Sequence, residues 1–334
     1  MAEPKEIFFN SKKIAVVRTD KIGDMVLTLP MIKAIKESFP DKQISLIASS
    51  YTKVLIENCE FIDNTYFLED FSDGIKGIFK NKKFDVVFFP RPKFNEVLSA
   101  FRTHQKLRVG SAYRWYSILF NHKIYAHRKT AEKHEAEYNV NMVENLTGRQ
   151  LKTELVRPVI SENFQRKIET LLKTYQLEGK NFIIIHPGSG GSAYEWKPEN
   201  FGKLAEAVYQ QTGLKTLITG DDSDIQKCNI VNNIAETSIN LCSQLTLSEL
   251  IALISHSKLL IANSTGVIHI AAALGIKVLG LYPNSPHLSP KRWGPYSKDS
   301  ICITPDSKDK NHQDDMNLID FNKVLEGALE LCRK

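Results

Sequence analysis

No stretch of this sequence is long and apolar enough to span a bilayer. The longest candidate, Val267 to Tyr282, is interrupted by His269 and Lys277, whereas a spanning helix needs about 20 apolar residues. Cysteine is scarce and scattered. Cys59, Cys228, Cys242, Cys302 and Cys332 form no CxxC pair, so neither a zinc site nor a disulfide framework is expected, and free thiols in a reducing cytoplasm are. The opening residues Met1 to Glu6 show no basic region followed by an apolar one, the mark of a secretory leader. Internal repeats and low-complexity tracts are absent as well, which sets aside solenoids and disordered linkers. What remains is the composition of an ordinary enzyme: 334 residues, 42% hydrophobic, 25% charged, 17 Gly and 13 Pro. That length exceeds what one core usually organises and implies two domains of roughly 150 residues.

Charge is unevenly placed. Between Arg91 and Lys133 stand ten lysines and arginines against Glu96 and Glu132, a local excess larger than the +6 of the whole chain. Such a segment attracts anions: a phosphorylated substrate, an acidic membrane face or a nucleic acid. No nucleic-acid reader motif accompanies it, so nucleic acid is not the expected partner. The plainer alternative is a solvated basic surface.

Short β-branched runs alternate with amphipathic stretches, the pattern of parallel α/β units. Residues 14–18, 44–48 and 85–89 read as strands, and Met25 to Phe39 reads as one helix, with Val26, Leu29, Ile32 and Ile35 three apart. The pattern restarts with strands at 182–186, 215–219, 258–262 and 277–282. Helices are expected near 199–212, 222–235, 246–256 and 266–274. A helix over 162–175 carries the crossover between domains. The expected fold class is α/β, with two Rossmann-like domains facing across a cleft: residues 1–160 and 161–316, the helical segment 317–334 rejoining the first. Ligands of such sheets bind at the carboxyl ends of strands.

Four loops sit there. In Arg18-Thr-Asp-Lys-Ile-Gly-Asp24, Asp24 is either a general base or merely a helix cap. In the loop from His186 to Pro198, Gly188, Gly190 and Ala193 match a weak GxGxxA pattern, but the next helix starts too late for a dinucleotide site. Its backbone N–H groups suit phosphate oxygens, with Ser189, Gly190 and Lys197 as contacts. Ser264, Thr265 and Gly266 open a helix whose N-terminus is an anion site. His269, one turn in, is a ligand contact or a core residue. Asp222 is placed to bind ribose hydroxyls. It also begins an Asp222-Ser-Asp224 triplet of the kind that holds Mg²⁺, ranked below ribose binding.

Gly23-Asp24-Met-Val-Leu-Thr-Leu-Pro30, His186-Pro-Gly-Ser-Gly190, Trp196-Lys-Pro-Glu-Asn-Phe201, Ser264-Thr-Gly-Val-Ile-His269 and Arg292-Trp-Gly-Pro295 together resemble glycosyltransferase family 9, the lipopolysaccharide heptosyltransferases. They come in that family's order across nearly the whole chain. His134-Glu135 also falls where the family has a His-Glu pair. The resemblance implies a GT-B fold and a metal-independent, inverting transfer from a nucleotide sugar, typically ADP-heptose, with Asp24 as base and no cofactor. It implies an anionic lipopolysaccharide-core acceptor, met by Lys21, Arg91, Lys93, Arg102 and Arg114. It further implies a cytoplasmic enzyme held peripherally at the inner membrane face. Two departures stand out. Ser264 replaces a common Asp, and Tyr194-Glu195 stand where a Lys or Arg often precedes the Trp. A different nucleotide sugar, an epimerase or hydrolase on a similar frame, and a non-catalytic nucleotide-sugar binder are the competing readings.

Overall fold

A computed structural model describes residues 3–333 apart from 178, 180, 192, 308 and 310. Ser192 of the glycine loop therefore lies outside the described residues. The chain divides into two compact units, residues 1–159 and 160–334.

The first unit is built on six parallel strands: β1 (Lys13–Arg18), β2 (Gln43–Ala48), β3 (Asn64–Phe67), β4 (Val86–Phe88), β5 (Leu107–Ser111) and β6 (His122–Ile124). Among the described residues seven α-helices go with them: α1 (Pro4–Phe9), α2 (Ile22–Val26), α3 (Leu29–Ser38), α4 (Lys53–Ile56), α5 (Ile75–Asn81), α6 (Phe94–Arg102) and α7 (Glu135–Thr147). The sheet order is β3-β2-β1-β4-β5-β6. Strand alternation builds one of its cores. Ala15 and Val17 of β1, Ile47 of β2 and Val87 of β4 share a face with Ile78 and Phe79 of α5 and Val97 of α6. The intervening Ile14, Val16, Leu46 and Phe88 are fully buried too, as a sheet covered on both faces requires.

The single helix expected over 25–39 is instead α2 and α3. Pro30 stands in the first turn of α3. It has no N–H to give, and its ring would crowd the carbonyl four residues back, so the helix breaks ahead of it. Thr28 Oγ1 donates to the Asp24 carbonyl at 2.8 Å across the break. Asp24 thus rides on its own short turn.

The second unit repeats the design with β7 (Phe182–His186), β8 (Lys215–Ile218), β9 (Ile239–Asn240), β10 (Leu259–Asn263), β11 (Lys277–Leu281) and β12 (Ser300–Ile303). Its helices are α8 (Glu162–Thr174), α9 (Pro198–Thr212), α10 (Ile225–Ile234), α11 (Leu247–His256), α12 (Gly266–Ala273), α13 (Pro290–Trp293) and α14 (Phe321–Arg333). The order β12-β11-β10-β7-β8-β9 is the same doubly wound sequence of strands. In both sheets the direction of winding reverses beside the first strand, between β1 and β4 and between β7 and β10, which is where such folds bind ligands.

The last helix corrects an expectation. Residues 317–334 were expected to return to the first domain, yet α14 packs on the second unit's own sheet. Val324, Ala328 and Leu331 join Ile183, Ile261, Leu279 and Trp196 in one core. Lys277 Nζ donates to the Leu331 carbonyl at 3.0 Å. An apolar stripe needs an apolar face to cover, and the nearest one along the chain belongs to β11 and β12.

Candidate active site

At the carboxyl end of β1 the structure assembles a buried charge cluster around Asp24. Arg18, 1% exposed, ends the strand. It donates through Nη2 to Asp24 Oδ1, and its Nε lies 2.7 Å from Asp20. Arg91, from the loop after β4, donates to Asp20 Oδ2 at 2.7 Å and stands 3.7 Å from Asp24 Oδ2. The cap reading of Asp24 is not the one the fold uses, because Lys21 occupies the N-cap of α2. The Asp24 carboxylate faces guanidinium groups instead.

Burial pushes the Asp24 carboxyl above the usual carboxylate range. Arg18 draws it back, Asp20 pushes it further, Arg91 draws it back again, and Glu135 adds a last push. A carboxylate raised in this way holds a proton more firmly than an exposed one, the property a general base needs. Glu96 on α6 is likewise raised by burial, against a hydrogen bond from Thr19 and the charge of Lys93. Lys93 Nζ donates to the Thr19 carbonyl at 3.0 Å and to Thr19 Oγ1 at 2.8 Å, so it braces the β1 loop.

Of the residues expected to meet an anionic acceptor, four share the carboxyl edge of this sheet: Lys21, Arg91, Lys93 and Arg114, the last in the exposed turn after β5. Arg102 does not join them. It sits in the last turn of α6, and that helix runs back along the sheet toward the start of β5. At 1.5 Å per residue its eight steps carry Arg102 about 12 Å toward the opposite edge. His134 caps α7, its Nδ1 accepting from the Ala136 N–H at 3.2 Å, while the buried Glu135 pairs with Arg128.

In the second unit the loop after β7 crosses the end of the sheet with Gly190 and Gly191 at φ 55° and 67°, left-handed values that favour glycine. A side chain at Gly188 would overlap the Asp224 carboxylate. Asn263, fully buried at the end of β10, stitches this loop to its neighbour. Its Oδ1 accepts from the Trp196 N–H at 2.9 Å and its Nδ2 donates to the Pro187 carbonyl at 2.6 Å. Trp196 itself is core, stacked 6.2 Å from Phe321 and edge-on to Phe201. Lys197 is exposed at the N-cap of α9.

Thr265 is the N-cap of α12, yet its side chain makes no capping bond. Ser264 donates its N–H to the Leu281 carbonyl at 3.0 Å, and Gly266 opens the helix. His269 is buried one turn further in. The three acids after β8 go separate ways. Asp221 caps the turn, accepting from Ser223 N at 2.8 Å. Asp222 is exposed and takes a hydrogen bond from Ser243. Asp224 is buried behind Gly188 and held by Lys227 at 3.1 Å. The Asp222-Ser-Asp224 triplet therefore does not present its two carboxylates to one ligand. His186 ends β7 beside Thr219, 3.0 Å away, and burial lowers its pKa.

Sequence reading passed over Arg18, Asp20, Glu135 and Asn263 as site residues. For Arg18, Asp20 and Asn263 the usable signal was a charged or amide residue ending, or just beyond, a run of apolar strand residues. Glu135 opens α7 and was marked only through the His134-Glu135 pair.

The model of glycosyltransferase family 9 (heptosyltransferase) matches residues 78–319. A Haemophilus influenzae protein provisionally named a glycosyltransferase is 28% identical, over 94% of this chain and 95% of its own. The crystal structure of a family 9 glycosyl transferase from Veillonella parvula aligns with a TM-score of 0.84 at 20% identity, over 100% of this chain and 98% of the other. The Escherichia coli ADP-heptose lps heptosyltransferase II aligns at 0.77 and 19% identity, over 96% and 98%. Two Rossmann-like domains matched from end to end by enzymes of this kind define a glycosyltransferase of the GT-B class. The chain belongs to glycosyltransferase family 9.

Proposed function

We propose that this enzyme moves a heptose from ADP-heptose to an anionic lipopolysaccharide-core acceptor, in one inverting step and without a metal. The observation that carries the reading is the buried Asp24 carboxylate at the switch point of the first sheet, held by Arg18 and raised by burial. In that step an acceptor hydroxyl oxygen bonds to the anomeric carbon while the bond from that carbon to the diphosphate breaks. The hydroxyl proton passes to Asp24. The departing nucleotide keeps the electron pair, and its charge is met by the loop of Ser189 and Gly190, by Lys197, and by the N-terminus of α12 at Ser264, Thr265 and Gly266. Asp222 takes the ribose, and His269 supports the α12 end of the site. Lys21, Arg91, Lys93 and Arg114 face the acceptor's phosphates and carboxylates. The name of the Escherichia coli structural neighbour, an ADP-heptose enzyme, supports both donor and acceptor class.

The same reading places the enzyme at the cytoplasmic face of the inner membrane. Support comes from the turn after β5, where Trp115 and Ile118 are 79% and 81% exposed beside the exposed Arg114. Tyr113 packs 4.7 Å from His127, which brings the exposed Tyr125 and Lys129 to the same surface. Apolar and aromatic tips ringed by cations suit an anionic interface.

Calorimetric titration with ADP, UDP, GDP and CMP tests the donor assignment. The expected result is a clear preference for ADP. Preference for UDP or GDP keeps the transferase and removes heptose, and binding of none at millimolar concentration removes the donor site altogether.

A further inference from the structure

We infer that the Glu195 carboxylate is an internal stand-in for the donor's diphosphate, seated in the anion site of the glycine loop and displaced when the nucleotide binds. The inference rests on the donor reading above. Its basis is one oxygen atom with three donors. Glu195 Oε1 accepts from the Ser189 backbone N–H at 2.9 Å, from Ser189 Oγ at 2.8 Å and from Lys227 Nζ at 2.8 Å. A loop amide, a hydroxyl and an ammonium converging on a single anionic oxygen is the donor set that holds a phosphate oxygen. It lies at the carboxyl end of β7, at the switch point of the second sheet.

The surroundings suit exchange. The Glu195 and Lys227 side chains are 27% and 30% exposed, so an incoming anion reaches them from solvent. Lys227 is tethered from below by Asp224, whose side chain is 2% exposed, and stays in place once Glu195 departs. Gly190 and Gly191, both at positive φ, lie between Ser189 and Glu195, and glycine reaches more backbone conformations than any other residue. A basic residue near position 195 would add to the nucleotide's attraction. Glu195 instead subtracts from it, and Lys227 on α10 supplies the cation from another element.

A fixed latch that merely ties the loop down is the opposing account, and the two predict opposite signs. Glu195→Gln keeps the length and an acceptor oxygen while removing the charge. With ADP as the probe in calorimetric titration, the stand-in account predicts binding about tenfold tighter than wild type, with Glu195→Ala moving the same way. Lys227→Met is expected to weaken ADP binding about tenfold. Melting curves of each variant confirm that the folded protein is being titrated. Unchanged or weaker binding by both Glu195 variants overturns the inference and leaves the donor reading standing. No nucleotide binding by wild type or any variant overturns both.

Discussion

The loops after β1 and β7 occupy equivalent places in two sheets of the same strand order, and they are built from opposite materials. The first is dense with charge: Arg18, Asp20 and Asp24 at the end of β1, with Arg91 from the loop after β4 and Glu96 from α6. The second is almost all backbone, made of glycines, a serine and Asn263 holding two main-chain groups, with Glu195 as its one inward carboxylate. A buried carboxylate surrounded by fixed charges has its proton affinity set by its neighbours. Backbone N–H groups do not titrate and can offer only a place for an anion. The same topology thus carries a buried charge cluster at one strand end and a glycine-rich loop at the other, and the difference lies in side chains rather than in fold.

Arg18→Met should break the first of these hardest. Removing one partner of a buried ion pair costs about 3–5 kcal/mol, read as a fall in denaturation midpoint. Arg18 also lowers the Asp24 pKa, so its loss raises that pKa. The base must be ionised to work, and activity is lost as pH falls through its pKa. The acid limb of the pH–rate profile therefore moves to higher pH in the variant, and an unmoved limb would separate Asp24 from the proton transfer. Asn263→Ala attacks the second loop. It strands the Trp196 N–H and the Pro187 carbonyl, at about 1–3 kcal/mol each, and should lower both melting temperature and ADP affinity while leaving the acid limb where it was. The smallest effect is expected outside both loops. Trp115→Ser with Ile118→Ser should reduce sedimentation with phosphatidylglycerol vesicles about tenfold and leave the melting temperature unchanged. Equal sedimentation would remove the membrane from the account.

Much of this contrast was legible in the chain. Apolar runs ending in turn residues marked every strand named from the pattern, and the glycines after His186 marked a close backbone approach. The edge strands β3 and β6 were not legible, because they are short and mostly half-buried, and neither was the inner strand β5, which lies with β6 inside the basic segment, where charge masks the alternation. The short outer strands β9 and β12 of the second sheet also went unread. The partners of Asp24 were hidden for a different reason. Arg91 and Glu135 lie 67 and 111 residues further along, and only the sheet order brings β4 beside β1. Net charge suggested that Arg91 and Lys93 were free for a ligand, whereas the structure pairs them with Asp20 and Thr19. Helix α14 was misplaced because an amphipathic stripe declares that it will be covered without declaring by which sheet.

The central claim is that Asp24 takes the acceptor's proton. Transfer from ADP-heptose to a truncated core lipid, followed for wild type and Asp24→Asn with ADP titrated into the same preparations, tests it most directly. The account predicts that turnover falls by a factor of about 10²–10⁴ while ADP affinity is unchanged, since the variant keeps the side chain's size and Asp24 makes none of the proposed contacts to the nucleotide. Wild-type turnover by Asp24→Asn would contradict it.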